Sequence, residues 1–218
     1  MIKAVIFDMD GLMIDSERVK LHYRNIVKKD LGYSDDNDIM SETFGKTKTE
    51  IKQIYINKYG PDYPIEEISH RTNVLWMDYL NKNGVPIKKG LKELLEFLKD
   101  NDYKIGVATS TYKDEAEYLL TEANIAGYFD TIATGERAIR SKPYPDLYLE
   151  ASRLLSVDPE VCLVLEDSPN GVKSAFNAGM KVIMVPDLIE PTDQIREISS
   201  YVVDGLADVI PILKDECQ

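Results

Sequence analysis

Only two of the 218 residues are cysteine, so no disulfide framework holds this chain. Cys162 sits inside the apolar run 161–165 and reads as core packing rather than as a nucleophile, while Cys217 lies in the tail. Basic residues are also in deficit: 26 Lys and Arg against 38 Asp and Glu leave a net charge of −12. That balance argues against nucleic acid and anionic membrane as partners, because both are held through clustered Lys and Arg. No stretch reaches the roughly 18 consecutive apolar residues of a membrane span. The first apolar run is cut by Asp8, unlike the core of a signal peptide, and the expectation is a cytosolic protein. Internal repeats and low-complexity tracts are missing as well. What remains, 44% hydrophobic and 29% charged, is the make-up of a soluble globular chain long enough for one core with an insertion.

The most informative stretch is residues 5–16, where Val5, Ile6 and Phe7 run straight into Asp8, Asp10 and Gly11. Asp is depleted in strands and costly to bury without a partner, so two carboxylates at a strand's end imply a cation or a phosphoryl group beside them. Further β-type runs occur at 105–108, 131–133, 161–165 and 182–185, with a short last one at 201–203. Helical patterns separate the later runs: Leu91, Leu94, Leu95 and Leu98 share one face, as do Ala116, Leu119, Leu120 and Ala123. Such alternation predicts an α/β protein with a Rossmann-like parallel sheet. About ninety-five residues separate the first run from the second, far more than a crossover needs. The excess reads as three helices, at 16–31 with Val19, Tyr23, Ile26 and Val27 on one face and Gly32 as the stop, at 47–59, and at 65–82. We therefore expect an inserted helical cap over 16–82 and a core formed by 1–15 and 83–218. The connections at 13–15 and 83–87 are the expected hinges.

Four groups fall at the expected carboxyl edge of the sheet, where open α/β sheets bind ligands: Asp8 with Asp10, Thr109 with Ser110, Lys142, and Glu166 with Asp167. Phosphoryl transfer needs these residue types. One carboxylate can attack phosphorus and a second can move the proton. Hydroxyls and backbone N–H groups can hold the equatorial oxygens, an ammonium can offset the developing charge, and oxygen ligands suit Mg²⁺. Simpler readings exist for each group alone. Asp10-Gly11 is a common turn signal, and Thr109 with Ser110 suits a helix N-cap. A lone Lys142 reads as a solvated lysine, and Glu166-Asp167-Ser168 as a strand-to-helix turn. Asp15 and Ser16 read as the start of the cap helix.

Taken in order, these segments resemble the haloacid dehalogenase superfamily, in the branch with a helical cap after the first strand. Asp8-Met9-Asp10-Gly11 is similar to its first motif, Val107-Ala108-Thr109-Ser110 to its second and Ser141-Lys142-Pro143 with Pro145-Asp146 to its third. Leu165-Glu166-Asp167-Ser168 with Gly171 is similar to the fourth. The resemblance implies that Asp8 is the nucleophile and Asp10 the general acid and base. It implies phosphate binding by Met9, Thr109, Ser110 and Lys142, and Mg²⁺ held by Asp8, the Asp10 carbonyl, Asp167 and Glu166.

Dehalogenases of this superfamily lack the second aspartate, so Asp10 favours phosphate chemistry. The β-phosphoglucomutases share all four motifs but carry a proton-shuttling His in the first cap helix, where Lys20 stands here. His22 is two positions along and does not face the same way. A cap lysine of the mutases falls near Thr72, beside Arg71. The expectation is a monomeric Mg²⁺-dependent phosphatase of a small phosphorylated metabolite, a sugar phosphate or nucleotide-related compound. A mutase and a catalytically idle binding partner remain as alternatives. Specificity is expected from the cap, with Gly45, Lys46 and Lys48 as a loop toward the substrate or simply an exposed charged turn.

Overall fold

The computed structural model describes residues 1–35, 48–136 and 138–216. Six parallel strands form one sheet: β1 (Ala4–Phe7), β2 (Lys104–Thr109), β3 (Thr131–Thr134), β4 (Cys162–Glu166), β5 (Lys181–Met184) and β6 (Tyr201–Val202), in the order β3-β2-β1-β4-β5-β6. The chain moves outward from β1 through β2 to β3, then crosses back to β4 on the other side of β1. The crevice between β1 and β4 is therefore the topological switch point, the place where such sheets bind ligands. Register pairs Phe7 with both Val107 and Leu165, so Asp8 leaves the sheet beside the end of β4.

Alternation along the strands sorts the core. Ala4, Ile6, Cys162, Val164, Val182 and Met184 point to one face, against Leu147, Tyr148 and Ala151 of α6 (Asp146–Leu155) and Val172 and Ala175 of α7 (Pro169–Asn177). The expected leucine stripe of α4 (Leu91–Asp100) is fully buried, as are Ala116, Leu119 and Leu120 of α5 (Lys113–Glu122). The remaining helices of this unit are α8 (Asp193–Ile198) and α9 (Val209–Glu216). Three strands, β2, β3 and β4, end one residue beyond their apolar runs, because Thr109 pairs with Thr134 and Glu166 with Met184. Val161 belongs instead to the short turn before β4. Cys162 is buried and donates to the Asp158 carbonyl, and burial pushes its thiol up to about 11, as suits a packing residue.

The chain divides into two compact units, residues 1–15 with 85–218 and residues 16–84. The second is helical: α1 (Ser16–Asp30), α2 (Lys48–Tyr59) and α3 (Ile65–Asn83). Gly32 and Gly84, both at positive φ, follow α1 and α3. One expected face is corrected here, since Ile26 is exposed while its neighbours Val27 and Lys28 are buried. The reason is the company Lys28 keeps. Its ammonium lies 5.3, 4.8 and 6.0 Å from the ring centroids of Tyr55, Tyr59 and Tyr63, and 3.4 Å from the Tyr59 hydroxyl. Tyr55 and Tyr63 stack at 5.0 Å. The negative faces of the aromatic rings stand in for the water that a buried ammonium loses. At the root of the first unit, the Asp15 N–H donates to the Pro86 carbonyl and the Lys88 N–H to Met13, while the Lys88 ammonium reaches Asp15 at 3.0 Å and Asp187 at 2.6 Å. The two connections to the helical unit are thereby tied side by side. No helix among the described residues is long and apolar enough to cross a membrane.

Truncating Lys28 removes both the cation and the stem that fills this space. Lys28→Ala should lower the unfolding free energy by about 1–3 kcal/mol in a urea titration followed by tyrosine fluorescence. An unchanged midpoint would show that the cage is not stabilising.

Candidate active site

Asp8 follows β1, and its placement is fixed by its own N–H, which donates to the Leu165 carbonyl at 3.0 Å. The chain then turns sharply, with the N–H groups of Met13 and Ile14 both reaching the Met9 carbonyl. Gly11 makes this turn possible in two ways: its φ is +88°, and a Cβ there would overlap the Asp167 carboxylate. The turn reading of Asp10-Gly11 is therefore correct locally, and the turn brings the first motif against the fourth. Met9 buries its side chain completely, so only its backbone is left to meet a ligand.

Lys142 is the centre of the site. Its ammonium donates to Asp8 Oδ1 at 2.5 Å and Glu166 Oε1 at 2.6 Å, with the Ala108 carbonyl further off at 3.4 Å. It is no solvated lysine, since only 11% of its side chain is exposed. Glu166 is fully buried and accepts three more bonds, from the Tyr148 hydroxyl at 2.7 Å and from the backbone N–H and Oγ of Ser168 at 3.0 Å each. Ser168 also caps α7, accepting from the Gly171 N–H at 3.1 Å, so the capping and site roles of that turn coincide. A Cβ at Gly171 would overlap the Glu166 carboxylate, which explains a glycine in the first turn of a helix.

Around Asp10 the arrangement differs. Its Oδ2 accepts from the Thr111 hydroxyl at 2.7 Å, and the Thr111 N–H donates to Thr109 Oγ1 at 3.0 Å. The N-cap reading of Thr109 and Ser110 is corrected, because the residue before α5 is Tyr112 and no side chain caps that helix. Thr109 is buried at the end of β2 while Ser110 is exposed. Asp8, Asp10, Thr109, Lys142, Glu166 and Asp167 thus meet at one edge of the sheet. Gly45 and Lys46 lie outside the described residues, as does the side chain of Lys48, the first residue of α2. Two side chains that the motifs did not single out belong to the site. Thr111 follows the second motif by two residues, and Tyr148 lies one helical turn beyond the prolines that shape the Lys142 loop. A phenol hydroxyl on the helix face that also carries Leu147, Ala151, Ser152 and Leu155 was the available signal for Tyr148.

A model of the haloacid dehalogenase-like hydrolases matches residues 5–185. The chain belongs to that family. Among relatives of this haloacid dehalogenase-like hydrolase, a phosphorylated carbohydrates phosphatase of Thermotoga maritima is 31% identical over 185 residues, covering 83% of both chains. Hexitol phosphatase B of Escherichia coli K12 is 30% identical over 190 residues, covering 85% of this chain and 84% of its own. Among solved structures, CbbY from Rhodobacter sphaeroides in complex with phosphate aligns with a TM-score of 0.75 at 26% identity, covering 96% of each chain.

Charge at the site is unbalanced in this hydrolase. Asp8, Glu166 and Asp167 offer oxygens that all lie within 4.8 Å of one another, against the single ammonium of Lys142. Burial pushes the Asp8 carboxyl up to about 8, with Lys142 pulling against burial and Glu166 adding to it. Asp167 is pushed up as well, by burial and then by Glu166 and Asp8. Glu166 goes the other way: burial opposes its charge, but the attraction and hydrogen bond of Lys142, with the hydrogen bonds of Tyr148 and Ser168, together outweigh burial and hold it below the usual range. Lys142 is likewise held charged, the two carboxylates outweighing its burial. Burial and the Glu166 charge push the Tyr148 phenol up, so it remains a donor. Surplus negative charge on oxygen donors is the setting that a hard divalent cation fits.

A proton on Asp8 in the folded state, lost in the unfolded chain above 3.8, makes the metal-free protein less stable as pH climbs from there to about 8. A cation bound there would take the place of that proton. Mg²⁺ should therefore raise the melting temperature more at about pH 8 than at about pH 6 in a fluorimetric thermal scan. Equal shifts at both values would count against a protonated, cation-binding Asp8.

Proposed function

We propose that this haloacid dehalogenase-like hydrolase is a Mg²⁺-dependent phosphomonoester phosphatase of a small phosphorylated metabolite, working through an aspartyl-phosphate on Asp8. The observation that carries the reading is the contrast between two carboxylates two residues apart. Asp8 is buried against an ammonium, and half-buried Asp10 is held by the neutral Thr111 hydroxyl. Two acids in such different surroundings suit two different tasks.

In the first step an Asp8 carboxylate oxygen bonds to phosphorus as the ester P–O bond breaks, and Asp10 gives its proton to the departing oxygen. In the second step Asp10 takes a proton from water, the water oxygen bonds to phosphorus, and the Asp8–phosphorus bond breaks, releasing inorganic phosphate and restoring both acids. Lys142 is already aimed at Asp8 and has only a weak third contact at 3.4 Å, so its ammonium is available to a phosphoryl oxygen. Thr109, the exposed Ser110 and the backbone beyond Asp8 would hold the others. Mg²⁺, held by Asp8 and Asp167 with Glu166 close by, would neutralise the repulsion between an anionic nucleophile and an anionic substrate. The helical unit of residues 16–84 is read as a cap that selects the leaving group. The names of the two phosphatase relatives point to phosphorylated sugars and sugar alcohols as the first substrates to try.

A mutase would need a second sugar hydroxyl, rather than water, to accept the phosphoryl group. Where the mutases carry a proton-shuttling His this chain has Lys20, whose ammonium lies 5.4 Å from the Trp76 ring centroid, and His22 is exposed, which favours water. Purified protein with Mg²⁺ should release phosphate from hexose phosphates, hexitol phosphates or p-nitrophenyl phosphate. Asp8→Asn should reduce release by at least about 10³-fold without loss of fold. Retained turnover in Asp8→Asn would sink the covalent route. Conversion of β-glucose 1-phosphate to glucose 6-phosphate with a bisphosphate primer, faster than phosphate release, would establish the mutase instead.

A further inference from the structure

We propose that Tyr148 is a positioning residue: with Ser168 it fixes Glu166 as the counter-ion of Lys142, and so leaves the cation to Asp8 and Asp167. The proposal rests on the phosphoryl-transfer reading of the same site. A carboxylate has about four lone-pair directions. On Glu166 one oxygen takes Lys142 Nζ and the Tyr148 hydroxyl, at 2.6 and 2.7 Å, and the other takes the N–H and Oγ of Ser168 at 3.0 Å each. All four are in use. The carboxylate is fully buried, and Gly171 closes the space beside it so tightly that a Cβ would overlap it. A cation drawing on Glu166 would have to displace one of these donors. On Asp8, by contrast, Lys142 takes only Oδ1, and Asp167, though packed against Gly11, is half-buried where Glu166 is fully buried.

Tyr148 touches the ion pair twice. Its hydroxyl holds the carboxylate, and its ring lies 4.9 Å from the ammonium. A side chain that only filled the core between α6 and the sheet would need the ring and not the hydroxyl. Removing the hydroxyl opens one acceptor direction on the oxygen that Lys142 shares. Glu166 is then held by Ser168 and Lys142 alone, and the ammonium's aim at Asp8, the geometry on which charge stabilisation depends, loosens.

Tyr148→Phe separates these roles. With p-nitrophenyl phosphate we expect kcat to fall about tenfold while KM stays within about twofold, and the melting temperature to move little. In calorimetric titrations with Mg²⁺, Tyr148→Phe should leave the dissociation constant within about threefold. Glu166→Gln should weaken it at least about tenfold less than Asp167→Asn does. A purely structural tyrosine would lower the melting temperature and leave kcat in place, which overturns the proposal. Mg²⁺ binding weakened as much by Glu166→Gln as by Asp167→Asn overturns it too, because Glu166 would then be a ligand. The titrations need no turnover. A wild-type protein that binds Mg²⁺ but hydrolyses no phosphate ester would therefore refute the phosphatase reading while the Glu166 assignment is still decided.

Discussion

One buried ammonium organises this protein's chemistry. Lys142 lies between Asp8 and Glu166, at 2.5 and 2.6 Å, and without it three carboxylates would crowd the end of two neighbouring strands. A single positive charge cannot balance three negative ones. The surplus is expressed as an Asp8 carboxyl pushed up to about 8 and an Asp167 carboxyl that is also raised. Such an imbalance suits oxygen donors to a hard divalent cation, the group the proposed reaction calls for.

The sheet makes the crowding possible. Its strand order puts β1 and β4 side by side at the point where the chain reverses its direction of travel, so the first and fourth motifs, more than 150 residues apart, become neighbours. Glycines then do what other residues could not. Gly11 and Gly171 each lie where a Cβ would meet the carboxylate of the other motif or of its own, Asp167 in one case and Glu166 in the other. The acids sit close because the backbone beside them has no side chains.

Much of this was legible along the chain. The apolar runs, the leucine stripe at 91–98 and the long gap after the first strand identify a parallel α/β core with a helical insertion, because burial has a period that sequence displays. The motifs named Asp8, Asp10, Lys142 and Asp167. Where local pattern misled, another element supplied the reason. Ile26 is exposed and Lys28 buried because tyrosines of α2 and of the loop before α3 offer rings to the ammonium. Thr109 caps no helix because its hydroxyl is turned to the Thr111 N–H.

The sequence by itself determined which chemistry is possible: two carboxylates on one turn, a lysine in a proline-bound loop, and an acidic balance of 38 Asp and Glu against 26 Lys and Arg. Only the tertiary structure decided how the acids differ. Asp8 faces an ammonium and Asp10 a hydroxyl, while Glu166 is enclosed by Tyr148, Ser168 and Lys142, and no spacing along the chain encodes those pairings. A carboxylate's role follows from the donors and the burial around it, and those come from distant segments brought together by the sheet.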